Sequence, residues 1–209
     1  MDISPIISPS VDRKELAKVL DEVGDDARFK AVAELGRKEL ASLFEAAIDN
    51  APVTIDDYVP PGVPPMTEVI HDGKNSLALF TRFQKRFCRP AGETSSRELW
   101  GYNEQEMRLF TGPGYFVAYH PTEPLALQGG VVIDYQRVPA DKPVGWPAIL
   151  PNTARLSRFI YNGTVDVMRR VSGHVTIGRA MRGRQPMDAW FVLVRRDAPR
   201  NPGVLTTNA

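Results

Sequence analysis

"DAWFVLVRR", residues 188–196, is apolar on both of its faces. Successive side chains of a strand point to opposite sides. Trp190, Val192 and Val194 share one side, and Ala189, Phe191 and Leu193 share the other. A strand with no polar side must be covered on both. It belongs at the centre of a layered sheet or in the wall of a closed barrel.

Upstream, "VSGHVTIGRAMRGRQPMD" (171–188) completes a hairpin, with "RGRQPMD" as the turn. Val171, Gly173, Val175, Ile177, Arg179 and Met181 form one face of the first arm. Ser172, His174, Thr176, Gly178, Ala180 and Arg182 form the other. The second face is small and polar, so it either leaves room for a cavity or faces solvent with a bulge at Gly178.

Further strands are expected near 67–71, 76–89, 97–103, 114–120, 130–138 and 155–161, with the hairpin arms near 171–182 and 187–196. Gly and Pro punctuate them. Residues 162–171 suit either a helical turn or a short strand. Loops such as "RVPADKPVGWPAILPN" (137–152) are too proline-rich for crossover helices, which disfavours a parallel α/β sheet. About eight antiparallel strands must close or stack, and closure removes exposed edges. The expected fold is α+β, mainly β: an N-terminal helical pair, then an antiparallel barrel of about eight strands. A sandwich or a curved sheet packed by the helices is the alternative.

The helical pair occupies residues 1–50, and the β domain residues 51–209. Asp12 and Glu15 resemble a capping box ahead of Leu16, Val19, Leu20 and Val23. Gly24 ends that helix. A second helix carries Phe29, Val32, Ala33, Gly36, Leu40, Leu43, Phe44 and Ala47 on one face. Its Gly36 costs ~1 kcal/mol relative to alanine and would permit a close approach. The proline-rich "VPPGVPPM" (59–66) is a stiff connector.

Net charge is +1, which argues against a nucleic-acid partner held by bulk charge. The aromatic–basic run "RFQKRF" (82–87) is compatible with base stacking, but it stands alone in a balanced composition. Residues 1–50 carry 7 basic and 11 acidic side chains, so the helical segment is acidic and the remainder mildly basic. No apolar run approaches the ~20 residues of a membrane span, and the N-terminus does not resemble a signal peptide; a cytoplasmic location is expected. One cysteine, Cys88, allows no intrachain disulfide. Flanking Arg86 and Arg89 could lower its thiol pKa, although a lone cysteine is more often packing.

His71, His120 and His174 show no metal-binding spacing, and no nucleotide or cofactor motif is present, so no metal and no cofactor are expected. The stretch "GPGYFVAYH" (112–120) places Tyr115, Val117 and Tyr119 on one face and Phe116, Ala118 and His120 on the other. In "SLALFTRFQKRFCRP" (76–90), Leu77, Leu79, Phe83 and Phe87 share a face that Thr81 and Lys85 interrupt. Phe80, Arg82, Gln84, Arg86 and Cys88 lie opposite. Arg82 or Arg86 could anchor an acidic head group.

With these strands laid out, residues ~67–197 resemble a calycin barrel, the group that holds lipocalins and fatty-acid-binding proteins. The likeness rests on the meander of short strands, the Trp- and Arg-bearing "DAWFVLVRR" and the helical preface. The lipocalin Gly-X-Trp signature is missing; "LWGYN" (99–103) and "VGW" (144–146) do not reproduce it. "GKNSLALFTRFQKRF", "LWGYNEQEMRLFTGPGYF" and "RRVSGHVTIGRAMRG" are similar to segments of uncharacterised bacterial proteins. The calycin resemblance implies a small apolar ligand inside the barrel.

The expected function is binding of a small hydrophobic ligand, with an arginine to hold a carboxylate where the ligand has one. Arg82, Tyr102, Tyr115, Tyr119, His120, His174 and Trp190 are the candidate wall residues. One alternative is an isomerase, cyclase or hydrolase that uses His120 or His174 with Asp134 or Asp166. Another is a protein-interaction module.

Overall fold

The computed structural model describes residues 1–7, 10–77, 81–104, 113–149, 163–183 and 185–197. Eight antiparallel strands form one closed barrel in simple up-and-down order. They are β1 (Val69–Asn75), β2 (Arg82–Cys88), β3 (Glu98–Glu104), β4 (Phe116–Tyr119), β5 (Val131–Asp134), β6 (Thr164–Arg170), β7 (Val175–Arg182) and β8 (Gln185–Arg195). Closure is made by β1, which pairs with β2 through Val69↔Phe87 and with β8 through Gly73↔Leu193.

Among the described residues, four α-helices precede the barrel: α1 (Ser4–Ile7), α2 (Arg13–Asp21), α3 (Asp25–Ala33) and α4 (Arg37–Ala46). Asp12 caps α2, its side chain accepting from the Glu15 backbone N–H at 3.1 Å. The single second helix expected across Gly36 is two helices. Gly36 is the N-cap of α4, in extended backbone at φ −82°. Glycine is the costliest non-proline residue inside a helix, so the break falls there. The turn lets both α3 and α4 lay apolar residues on one surface.

That surface is the outer face of β7 and β8. Leu16, Leu20, Val32, Leu40, Leu43 and Phe44 pack with Val175, Ile177, Trp190, Val192 and Val194 in one cluster. The opposite face of β8, Phe191 and Leu193, joins the barrel interior. The two apolar sides of β8 thus meet two different partners. The helices cover the barrel wall. Arg169 of β6 ties them down: its guanidinium donates to the Phe44 carbonyl at 2.6 Å and sits 3.9 Å over that ring.

The interior is filled from one end. Val53, Ile55, Tyr58 and Val59 join Val69, Phe87, Leu99, Phe116, Ile133 and Leu193. Arg195 donates to the Asp57 carbonyl at 2.6 Å and Arg170 to its carboxylate at 2.5 Å, which fastens this plug to β6 and β8.

The strand boundaries that differ most from the sequence reading are the end of β1, the start of β2 and the end of β5, which stops at Asp134 rather than near 138. β1 runs on to Asn75, where an Asx turn stops it: Leu77 N–H donates to Asn75 Oδ1 at 2.9 Å. β2 therefore starts only at Arg82. The region left open at 162–171 contains β6, whose Val165, Val167 and Met168 are buried. The strand expected at 155–161, the Gly112 turn position, Leu79 and Phe80 lie outside the described residues.

Candidate functional site

Register decides what faces inward. Phe83, Lys85 and Phe87 of β2 alternate with Arg82, Gln84 and Arg86. Phe87 lies in the interior cluster, so Lys85 points inward with it. On β6 the same logic brings in Asp166, opposite Ile133 and two residues from Met168. Asn103 lies one residue from the end of β3, and Tyr135 follows β5. These four residues converge.

Lys85 Nζ donates to Asn103 Oδ1 at 2.8 Å and to the Tyr135 hydroxyl. The Tyr135 hydroxyl donates to Asp166 Oδ2 at 3.0 Å. Lys85 Nζ stands 3.6 Å from that same carboxylate oxygen. Lys85 is 2% exposed and Asp166 6%. The hydrogen bonds therefore form one directed chain, ammonium to phenol to carboxylate.

Four aromatic rings surround the ammonium: Tyr135 at 4.9 Å, Phe116 and Phe191 at 5.1 Å, and Phe83 at 5.6 Å. Ring faces attract a cation, most strongly when it is desolvated. Three of the rings lie across inward-facing glycines. A Cβ on Gly73 would meet the Phe83 ring at 2.6 Å, one on Gly101 the Phe116 ring at 2.4 Å, and one on Gly178 the Phe191 ring at 2.4 Å. The glycines are where the aromatic box finds its space.

Burial pushes the Lys85 ammonium down to about 8, against the opposing pull of Asp166. Burial pushes the Asp166 carboxyl above its ordinary value, opposed by Lys85 and Tyr135. Both shifts have one cause: the low-dielectric interior penalises each charge. They drive the pair toward a shared proton.

The cluster is the floor of a cavity of about 340 Å³. Leu77, Phe83, Ala180, Met187, Trp190 and Phe191 contribute its apolar wall, and Arg182 is the arginine among its described lining residues.

Of the residues chosen from sequence, Trp190 lines this cavity at its rim, and its ring also packs under the helices. The small polar face of β7 points inward as one of its two readings required, with Ala180 and Arg182 in the cavity wall. Arg82 is exposed on the outside, 5.9 Å from the Phe29 ring, because it alternates with Phe83. Tyr102 and Tyr115 pack outside the barrel against Trp146 in tilted and edge-on contacts, and Tyr115 donates to the Pro147 carbonyl at 2.6 Å. Tyr119 is also on the outer side, donating to Asp134 at 3.3 Å.

The histidines do not meet the carboxylates proposed for them. His120 is exposed and bonds the Gly130 carbonyl at 2.8 Å. His174 sits in the turn before β7, 3.4 Å from Asp21 and 3.1 Å from Asp197. His71 is buried against the plug, stacked on Tyr58, with Nε2 3.0 Å from the Tyr58 carbonyl. Burial pulls its pKa down to about 3, so it is a neutral ring. Cys88 is buried on the outer side, and burial pushes its thiol up to about 12, the reverse of an activated thiol.

Sequence reading passed over Lys85 as an interruption and named Asp166 only as a partner for histidine. The available signal was a lone charge set among apolar residues on each of two strands: Lys85 with Phe83 and Phe87, and Asp166 within "TVDVM" (164–168). Lone opposite charges of that kind can neutralise each other only by meeting inside.

Among the described residues no group of His, Cys, Asp or Glu could hold a metal ion, and no helix is long and apolar enough to cross a membrane. Comparison with protein-family models, curated proteins and solved structures returned no match. The closed eight-stranded antiparallel architecture is what the chain has in common with the calycin expectation.

Proposed function

We propose that the barrel mouth binds a small, largely apolar molecule, head first, with an oxygen acceptor directed at Lys85. The observation that carries this reading is the buried Lys85–Tyr135–Asp166 cluster on the floor of an apolar-walled cavity. An apolar pocket with a few convergent polar groups is the usual form of a small-molecule site. A volume of about 340 Å³ lies at the small end of such sites (~300–1,000 Å³), so the guest is compact.

Asp166 already compensates Lys85, which favours a neutral carbonyl or hydroxyl head over a carboxylate at the floor. A carboxylate, where the ligand carries one, belongs at the rim beside Arg182. The enzyme alternative takes Lys85 and Asp166 in place of a histidine pair.

Trp190 at the rim makes binding readable by tryptophan fluorescence. Titration with 2-naphthol and medium-chain ketones should give saturable quenching. Ala180→Phe, which fills the cavity, should abolish it while leaving the circular dichroism spectrum unchanged. Equal quenching of the wild type and of A180F would overturn the reading.

A further inference from the structure

Resting on this reading of the cavity, we infer that Lys85 captures apolar aldehydes or ketones covalently, as an imine formed at the barrel floor through the Tyr135–Asp166 relay.

Three features of the geometry support capture over simple binding. The amine lies inside a cavity that admits a guest, among aromatic rings that exclude water from the reacting atoms. It already donates into a hydrogen-bond chain that ends on a carboxylate. Asn103 Oδ1, accepting at 2.8 Å, fixes the nitrogen in place.

The chain provides the proton path. Lys85 passes a proton to the Tyr135 oxygen as Tyr135 passes its own to Asp166, leaving a free amine and a neutral carboxylic acid. The amine lone pair attacks the carbonyl carbon. The C–N bond forms and the π pair moves to the carbonyl oxygen, which takes a proton through Tyr135. The nitrogen returns its surplus proton to the relay, giving a neutral carbinolamine. The C–O bond then breaks as Asp166, through Tyr135, supplies the proton that lets the hydroxyl leave as water. The nitrogen lone pair completes the C=N bond. The resulting cationic iminium stands opposite the Asp166 carboxylate, as the ammonium did. Carbonyl plus amine gives imine plus water; no redox step and no co-reactant is needed.

The burial-driven shifts act in the same direction. At pH 7 an amine with a pKa of about 8 has a free fraction ~200-fold larger than a surface lysine near 10.4. Among the described residues, the ionisable groups around Lys85 are Asp166 across from it, Arg182 in the same cavity wall and the neutral ring of His71, its partner in the β1–β2 register.

The test is reductive trapping. The protein is incubated with 2-naphthaldehyde and cyanoborohydride, then mapped by peptide mass spectrometry; 2-naphthol serves as the unreactive binder. One equivalent should add at Lys85, tens of times faster than at any surface lysine, and 2-naphthol should protect it. The rate should rise with pH to a plateau above about 8. Tyr135→Phe, compared with the wild type at aldehyde concentrations that saturate each protein, should trap at least ten-fold more slowly, which places the loss in the chemical step rather than in binding. The Lys85→Met, Asp166→Asn double variant, which leaves no lone charge inside, should fold and not trap. Saturable 2-naphthol binding without selective labelling of Lys85 would overturn the imine and leave the binding site standing. Labelling spread evenly over the lysines, with no 2-naphthol binding, would overturn both.

Discussion

Lys85 and Asp166 are each more costly alone than together. Removing one partner of a buried ion pair strands the other, at about 3–5 kcal/mol. Lys85→Met should therefore lower the unfolding free energy by that order in urea titrations. Adding Asp166→Asn should restore most of it, because the stranded carboxylate is gone. Two single-variant losses that simply add would show that the residues do not interact. His71 gives a second prediction at this scale. Its folded pKa, about 3, lies below the unfolded value of 6.5. Between those values the unfolded chain binds the extra proton, so stability rises with pH there and is lost as pH falls through the window. His71→Phe keeps a ring against Tyr58 and Phe87 and should flatten that acid-side slope by one proton, measured from urea midpoints between pH 4 and 7. Both effects come from the cost of holding charge in the same low-dielectric interior. Lys85 acts in the alkaline window: its folded pKa is lowered, so its contribution to stability increases as pH rises from about 8 toward ~10.4.

The strands that carry the site depend on residues with no side chain. At Gly101 a Cβ would lie 2.4 Å from the Arg86 carbonyl oxygen as well as against the Phe116 ring. Backbone cannot give way as a side chain can. Gly101→Ala should therefore cost ~1–3 kcal/mol as an overpacked position, and the displaced Phe116 ring should weaken the 2-naphthol binding proposed at Lys85. Unchanged thermal stability in G101A would contradict the close approach. The helices are easier to read than the strands. Asp12 and the Leu16 and Leu20 stripe announce α2, and its cap and burial follow directly. Gly36 was harder to place, since a glycine on an apolar helical face marks either a close contact or a break. Only the surface that the helices must cover selects the break.

At the scale of the whole molecule, helices and barrel share one apolar layer across β7 and β8. We propose that the compositional division at residue 50 is not a division of stability. A chain of residues 51–209 would expose Val175, Ile177, Val192 and Val194 together, a patch that invites association. It should elute as an aggregate in size-exclusion chromatography; a monodisperse monomer with the full chain's thermal midpoint would show an autonomous barrel. Much of the architecture was legible beforehand. Period-2 alternation, the Gly and Pro punctuation and the doubly apolar "DAWFVLVRR" led to a closed antiparallel barrel with a helical preface, because those signals are local along the chain. Which face of each strand turns inward was not local. A period of two sorts side chains into two sets without saying which set is inside. That choice sent Arg82, Tyr102, Tyr115 and Tyr119 outward and Lys85 inward. The meeting of Lys85, Asn103, Tyr135 and Asp166 joins positions up to some eighty residues apart, and the closed circle of hydrogen-bonded strands alone decides it. The alternation belongs to the chain, whereas the convergence of charge, ring and cavity belongs to the closed barrel, where burial changes the chemistry of an amine that sequence shows only as a lysine.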